Sequence, residues 1–394
     1  MIDRQPTTPK KARIVVAHDW LCGLRGGERV LERICALVER EFEPAGLVAM
    51  FDDGQSIGPT VDAWVSGGLL RTSWLNRSGA RGMRRWLLPF YPSAVGQLSR
   101  AVGAIHRESP IDLLISSSSA AIKGLTAPSG VPHLCYCHSP ARYVWAPDAE
   151  RSGGISFKDG VRAAGLRLIG PGFRAWDRRT SAGVTGFIAN STRTAALIQE
   201  AYQRSARVIF PPVRTDFFTP DASVRREDFW LFAGALEPYK RVDLAIRAAA
   251  LAGKKLVIAG SGSQAAAARR LAKDAGAEVE FAGRVSDERL RDLYRRAHVL
   301  IFPQIEDFGI IAAEAQACGL CVAARGSGGA LDTVVDGGTG VLFHEATPEA
   351  IVQAVRKVPQ GAEAACRASA LRFAESEFDG KMLREISAAL AAQG

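Results

Sequence analysis

The sequence predicts an α/β protein built of two parallel-sheet domains. Three observations carry this expectation. The chain has 394 residues, more than a single hydrophobic core usually organises. Short apolar runs of strand length alternate with helical patterns almost throughout, which requires crossover helices between parallel strands. Near the middle, Pro211-Pro212 interrupts the pattern, and paired prolines cannot occupy the centre of a sheet, so the linker is placed there. The expected division is a first domain over 1–213 and a second over 214–375. A helix over 376–394 is expected to return to the first domain.

The elements follow in order. Ile14-Val15-Val16-Ala17 is the first strand. A glycine-rich loop with Gly23 and Gly26-Gly27 follows, then a helix from about Arg29 to Arg40. Further strands are expected at 46–50, 62–65, 113–116, 133–137, 185–189 and 208–210. In the second domain strands are expected at 230–233, 256–259, 279–281, 299–302, 320–323 and 341–343. Helices begin near Arg241, Ser263, Ser286, Gly309 and Pro348, and the Ala-rich segment 362–392 reads as helical.

Composition narrows the function classes. With 47% hydrophobic and 23% charged residues, the chain is of ordinary globular type. No apolar run approaches the ~18 residues of a membrane span. Residues 1–11 are polar and lack the apolar core of a signal peptide. A cytoplasmic protein is expected, with any membrane contact peripheral. The seven cysteines are scattered; Cys318 and Cys321 form a lone C-x-x-C without a second pair at zinc spacing, so no metal site is expected. The first glycine cluster reads G-x-x-G-G rather than G-x-G-x-x-G, and Asp52-Asp53 does not restore a dinucleotide fingerprint. The net charge of +9 favours anionic partners: phosphorylated substrates, acidic lipid or nucleic acid.

The chemistry centres on residues 306–314. They follow the strand at 299–302 and pass through Gly309 into a helix. Glu306 therefore sits at a strand's carboxyl end and Glu314 about two turns further on. Ligands of open α/β sheets bind at that end, and free N–H groups at a helix start attract phosphate. Carboxylates beside an anion site suit a ligand with both phosphates and hydroxyls, such as a sugar nucleotide. His138, ending the run 133–137, brings an imidazole to another strand end.

At these residues the chain resembles retaining glycosyltransferases of family 4, which have the GT-B fold, and most of all the bacterial mannosyltransferases of surface polysaccharides. The resemblance rests on an ordered set spread over most of the chain. It comprises His18-Asp19-Trp20-Leu21 with Gly26-Gly27-Glu28, the run from Cys137 through Trp145, Phe187 through Ser191, and Pro211-Pro212-Val213. It continues with Gly234 through Asp243 containing Lys240, then Glu306 with Glu314, and Gly328-Gly329 before Thr339-Gly340. It implies two Rossmann-like domains facing across a cleft, with the acceptor mainly on the first and the sugar nucleotide mainly on the second.

Lys240 would meet the donor diphosphate, Glu306 the sugar hydroxyls and Glu314 the ribose. The N–H groups of Phe308, Gly309 and Ile310 would contact sugar or diphosphate, and Gly26 and Gly27 the donor phosphate or acceptor. His138 would donate near the reacting carbon, which makes His138, Glu306 and Lys240 the expected catalytic set. Arg142 is expected on the acceptor side of the cleft. The family often has an arginine where this chain has Ala235, and Arg241 or another cleft arginine is expected to compensate. GDP-mannose is the expected donor, with a UDP-sugar such as UDP-glucose as alternative, and a lipid-linked oligosaccharide the expected acceptor. No metal or cofactor is expected. An inactive sugar-nucleotide- or membrane-binding scaffold is the alternative from another class.

Between Ala63 and Arg107 there is no acidic residue, but there are arginines at 71, 77, 81, 84, 85, 100 and 107. Trp74, Trp86, Phe90 and Tyr91 are interleaved. Basic charge with aromatic area is the composition of an interfacial anchor, so Arg81, Arg84, Arg85 and Trp86 are expected to touch an anionic membrane surface at the inner face of the plasma membrane. The segment carries no nucleic-acid-binding motif.

Overall fold

The computed structural model describes residues 11–78, 87–145 and 157–392. The first sheet holds β1 (Arg13–Leu21), β2 (Glu43–Asp52), β3 (Leu70–Thr72), β4 (Leu113–Ser118), β5 (His133–Cys137), β6 (Gly186–Ala189) and β7 (Ala206–Val208). Its order is β3-β2-β1-β4-β5-β6-β7, and every pairing is parallel. The second sheet holds β8 (Phe229–Ala233), β9 (Lys255–Ala259), β10 (Val279–Gly283), β11 (Val299–Phe302), β12 (Val322–Arg325) and β13 (Gly340–Phe343), in the order β10-β9-β8-β11-β12-β13. It too is wholly parallel. Covered on both faces, the central strands carry continuous rather than alternating apolar sequence: Ile14 to Ala17 and Val299 to Phe302 are all buried.

The strand order fixes where a ligand can bind. In each sheet the chain reverses its direction of winding once, between β1 and β4 in the first and between β8 and β11 in the second. Such switch points open a crevice beyond the strands' carboxyl ends. The loops after β1 and β11 both leave these positions, and they meet across the cleft.

Two crossings of the chain join the domains. The Val213 N–H donates to the Phe373 carbonyl at 2.8 Å. Around this contact Phe210, Phe308 and Phe373 pack with ring centroids 5.1–5.7 Å apart. The segment 362–392 is not one helix but two, Glu363–Leu371 and Glu375–Ala391, because Phe373 turns inward to this cluster. The second helix lies on the first domain: Phe378, Met382 and Ile386 are buried with Ile34, Val38 and Tyr136. Burial of each such side chain contributes about 1.5–3 kcal/mol. Arg33 clamps Asp379 with two bonds of 2.7 and 2.8 Å, and Arg40 adds one of 3.0 Å.

One expected strand is wrong. Residues 62–65 lie in the helix Pro59–Ser66, with proline in its first turn. A four-residue apolar run does not distinguish strand from helix, and the proline before it was the deciding signal. The helix Tyr91–Glu108 docks through Tyr91, Val95, Leu98 and Val102 as their spacing requires. Among the described residues no helix is long and apolar enough to cross a membrane.

Candidate functional site

The second domain brings Lys240 and Glu306 together. Lys240 ends a short 3-10 turn after β8, and Glu306 lies in the loop after β11. The Lys240 ammonium ion-pairs with Glu306 Oε1, and Gln304 Nε2 donates to the same oxygen at 2.9 Å. Burial alone would push the Glu306 carboxyl up. The charge and hydrogen bond of Lys240, with the Gln304 bond, outweigh it and leave the group below its ordinary range. Burial likewise opposes the charge of Lys240, but Glu306 more than offsets it. The pair is therefore a charged one.

Gly309 caps the helix Ile310–Ala317 with φ of 90°. A Cβ there would lie 2.9 Å from the Phe302 ring, so the turn needs glycine for both backbone and space. Phe308 is buried in the aromatic hinge, which anchors this loop. Ile310 opens the helix facing Gly26: a Cβ on Gly26 would sit 3.5 Å from Ile310 Cδ1. Glu314, 3% exposed, receives Arg29 Nη1 at 2.9 Å across the cleft. Burial raises the Glu314 carboxyl, against the pull of Arg29 and Arg214.

From the first domain, His138 stands at the end of β5. Its Nε2 is 2.8 Å from Ser117 Oγ, and its ring lies beside Gly27 and edge-on to His18. Burial, then the charges of His18 and Arg142, push it down to about 3. The imidazole is neutral at physiological pH. The unfolded chain binds a proton here near pH 6.5 and the folded one does not, so stability is lost as pH falls below that value. His138→Gln is expected to lose about 2 kcal/mol less than the parent between pH 7 and pH 5, read from urea midpoints.

Arg142 opens the short helix Arg142–Trp145 and reaches across the cleft to Asp307. Arg241 is paired locally. Its guanidinium closes on its own Asp243 with two bonds of 3.1 Å, and no bond joins it to Glu306 or Glu314. Asn190-Ser191 forms a helix cap: Ser191 Oγ accepts from the Thr194 N–H at 3.1 Å. Arg81, Arg84, Arg85 and Trp86 lie outside the described residues. The flanking Trp74 and Phe90 are 40% and 50% exposed and pack edge to face at 6.0 Å. All seven cysteines are buried. No cluster of three or more His, Cys, Asp or Glu suited to a metal occurs among the described residues.

Sequence reasoning missed Arg29, Asp307 and the depth of Glu28. Arg29 lies three residues after Gly26 in the first turn of helix Gly26–Glu41, a position that faces the other domain only once the cleft is assembled. Glu28 is a helix-start charge as expected, but it is 7% exposed and burial raises its carboxyl. Asp19 is sequestered by the N–H groups of residues 119–122 at 2.6–2.9 Å and shapes the loop after β4.

Two opposed Rossmann-like domains with their switch points across one cleft define the GT-B fold, and the comparisons agree. Residues 24–217 match the model of Glycosyltransferase Family 4 and residues 214–369 that of Glycosyl transferases group 1. The two matches follow one another along the chain and together span residues 24–369. It is 36% identical over 258 residues to D-inositol 3-phosphate glycosyltransferase of Acidothermus cellulolyticus, covering 58% of this chain and 54% of that one. The enzyme of the same name from Mycobacteroides abscessus is 39% identical over 153 residues, 34% of each chain. The matches span between 33% and 54% of the curated relatives' length. Among solved structures, sucrose-phosphate synthase of Thermosynechococcus elongatus superposes with TM-score 0.72 at 17% identity, over 97% of this chain and 100% of the other. Anabaena HepE in complex with UDP superposes with TM-score 0.70 at 15% identity, over 95% and 100%.

Proposed function

We propose that the protein is a retaining glycosyltransferase that moves mannose from GDP-mannose to a lipid-linked oligosaccharide in surface-polysaccharide biosynthesis. The observation that carries the glycosyltransferase reading is the Lys240–Glu306 pair at the β8/β11 switch point, one helix from the buried Glu314. A bound donor takes both partners: its diphosphate accepts from Lys240, and its sugar hydroxyls donate to Glu306. The ribose hydroxyls replace Arg29 on Glu314. The bond from the anomeric carbon to the diphosphate oxygen breaks, and a bond to the acceptor oxygen forms on the same face. The acceptor proton passes to the leaving phosphate oxygen. Lys240 and the N–H groups at the start of helix Ile310–Ala317 stabilise the charge that develops there. His138, neutral, donates to the sugar. No step in this scheme calls for a metal ion.

The mannose assignment rests on the family resemblance. UDP-glucose is the second reading, prompted by HepE, which has been solved with UDP-glucose. Titrating GDP-mannose and UDP-glucose in a thermal-shift assay separates them, and a shift with UDP-glucose alone would reverse the donor. The acceptor test offers lipid-linked oligosaccharide and, after the named relatives, D-inositol 3-phosphate, with nucleotide release as readout. Turnover only with the latter would remove the lipid acceptor. Release no faster than that of Lys240→Ala and Glu306→Ala with every donor and acceptor would instead leave a binding scaffold.

The exposed Trp74–Phe90 pair supports peripheral membrane attachment at the inner face of the plasma membrane. Replacing Arg81, Arg84, Arg85 and Trp86 is expected to lower flotation with anionic liposomes about tenfold or more, since each basic residue near such a surface is worth about 1 kcal/mol. Unchanged flotation would exclude that segment.

A further inference from the structure

One cation is too few for a departing diphosphate, and this chain has Ala235 where the resembling enzymes often have an arginine. Arg241 is the nearest substitute in sequence, but both carboxylate oxygens of Asp243 already hold its guanidinium. We propose that Arg142, delivered from the first domain, is the second cation on the donor diphosphate. The proposal rests on the donor-site reading above and adds to it a residue from the opposite domain.

The geometry is specific. Arg142 lies four residues after His138, at the start of a one-turn helix, and its side chain crosses the cleft to Asp307. Asp307 is the neighbour of Glu306, which holds Lys240, and stands two residues before the glycine that opens the helix Ile310–Ala317. The guanidinium therefore hangs over the loop and helix start where the diphosphate would lie. Its contact with Asp307 uses one amino group of a planar fork that has five N–H donors. The side chain remains 41% exposed, whereas that of Asp307 is 9% exposed, so a ligand reaches the arginine from the cleft while the carboxylate steadies it from behind.

The charge of Arg142 is felt by the surrounding groups. It favours the ionised form of Glu306 and disfavours protonation of His138 and of Lys240. An arginine that influences all three stands among them. Its helix is also braced from behind: Trp145 Nε1 donates to Asp177 at 2.8 Å, and Arg174 Nη1 donates to the Val144 carbonyl at 3.0 Å. A bidentate guanidinium suits phosphate oxygens better than a second ammonium would. Because this cation belongs to the first domain, it meets the diphosphate only when the cleft is closed, and closure would then complete the charge stabilisation.

The competing account is a plain interdomain latch, and the two differ in what repairs the loss. The full chain is titrated with GDP, GMP, UDP and UMP, for the parent, Arg142→Ala, Ala235→Arg and the double variant. Arg142→Ala is expected to weaken binding of the nucleoside diphosphate at least about tenfold, and to change the monophosphate of the same base much less. Ala235→Arg in the same chain is expected to restore most of that loss. A latch would not be restored from position 235, which lies wholly in the second domain. Parent-like diphosphate affinity in Arg142→Ala overturns the proposal, as does an equal loss for mono- and diphosphate with no rescue. If unpaired Asp307 unfolds the variant, Arg142→Ala with Asp307→Asn removes both charges, and the same comparison decides. A parent that binds neither GDP nor UDP fails at an earlier point, the donor-site reading itself.

Discussion

Lys240→Ala is expected to lower kcat/KM by about a hundredfold to a thousandfold, the range for loss of one preorganised stabiliser of transition-state charge. The ammonium is held at the β8/β11 crevice by Glu306 and lies 5.2 Å from the Tyr239 ring centroid. It is thus fixed before the donor arrives. The same substitution strands the Glu306 carboxylate, of which 20% is exposed. The expected stability cost is about 2–3 kcal/mol, somewhat below that of a fully buried pair. In the parent, Glu306 lies below its ordinary value, so it contributes stability above about pH 4.5 that is lost as pH falls. Without Lys240, burial dominates and the carboxyl rises, so the deficit of the variant grows with pH. Lys240→Ala with Glu306→Gln isolates the stability effect: melting temperature is expected to recover. A melting temperature no higher than that of Lys240→Ala would mean that the stranded Glu306 carboxylate is not the source of the loss.

The fold class was legible because its signals are local and repeated. Alternation of strand and helix runs, glycine at helix starts and the central prolines each report on a few neighbouring residues. Residues 62–65 misled because four apolar residues fit either period. That Lys240 and Glu306 lie near one crevice could be anticipated, since both follow strands that flank one switch point. Contacts across the cleft could not. Arg29 on Glu314 and Arg142 on Asp307 join residues 285 and 165 positions apart, and nothing in the local pattern of either partner names the other. Arg241 pairs with a carboxylate only two residues away, and a helix-start arginine near a phosphate site looks the same in sequence whether so paired or not.

A further cross-element charge pair supports the cleft from behind. Replacing Lys123 with methionine is expected to destabilise the protein by about 3–5 kcal/mol. Lys123 Nζ lies 2.7 Å from Asp177 Oδ1, and both side chains are fully buried. Burial opposes the charge of Lys123, but Asp177 more than compensates, so the lysine is charged. Asp177 also accepts from Tyr202 Oη and from Trp145 Nε1, both at 2.8 Å. The helix Phe157–Ser181, the turn after β4 and the short Arg142 helix therefore converge on one carboxylate. Losing the ammonium leaves that carboxylate with two neutral donors in a dry site. Lys123→Met with Asp177→Asn keeps an oxygen for Trp145 and Tyr202 while removing the charge, and is expected to recover most of the loss. Urea unfolding of the single and double variants measures each quantity. A deficit below about 1 kcal/mol would mean that neutral hydrogen bonds alone hold the Arg142 helix.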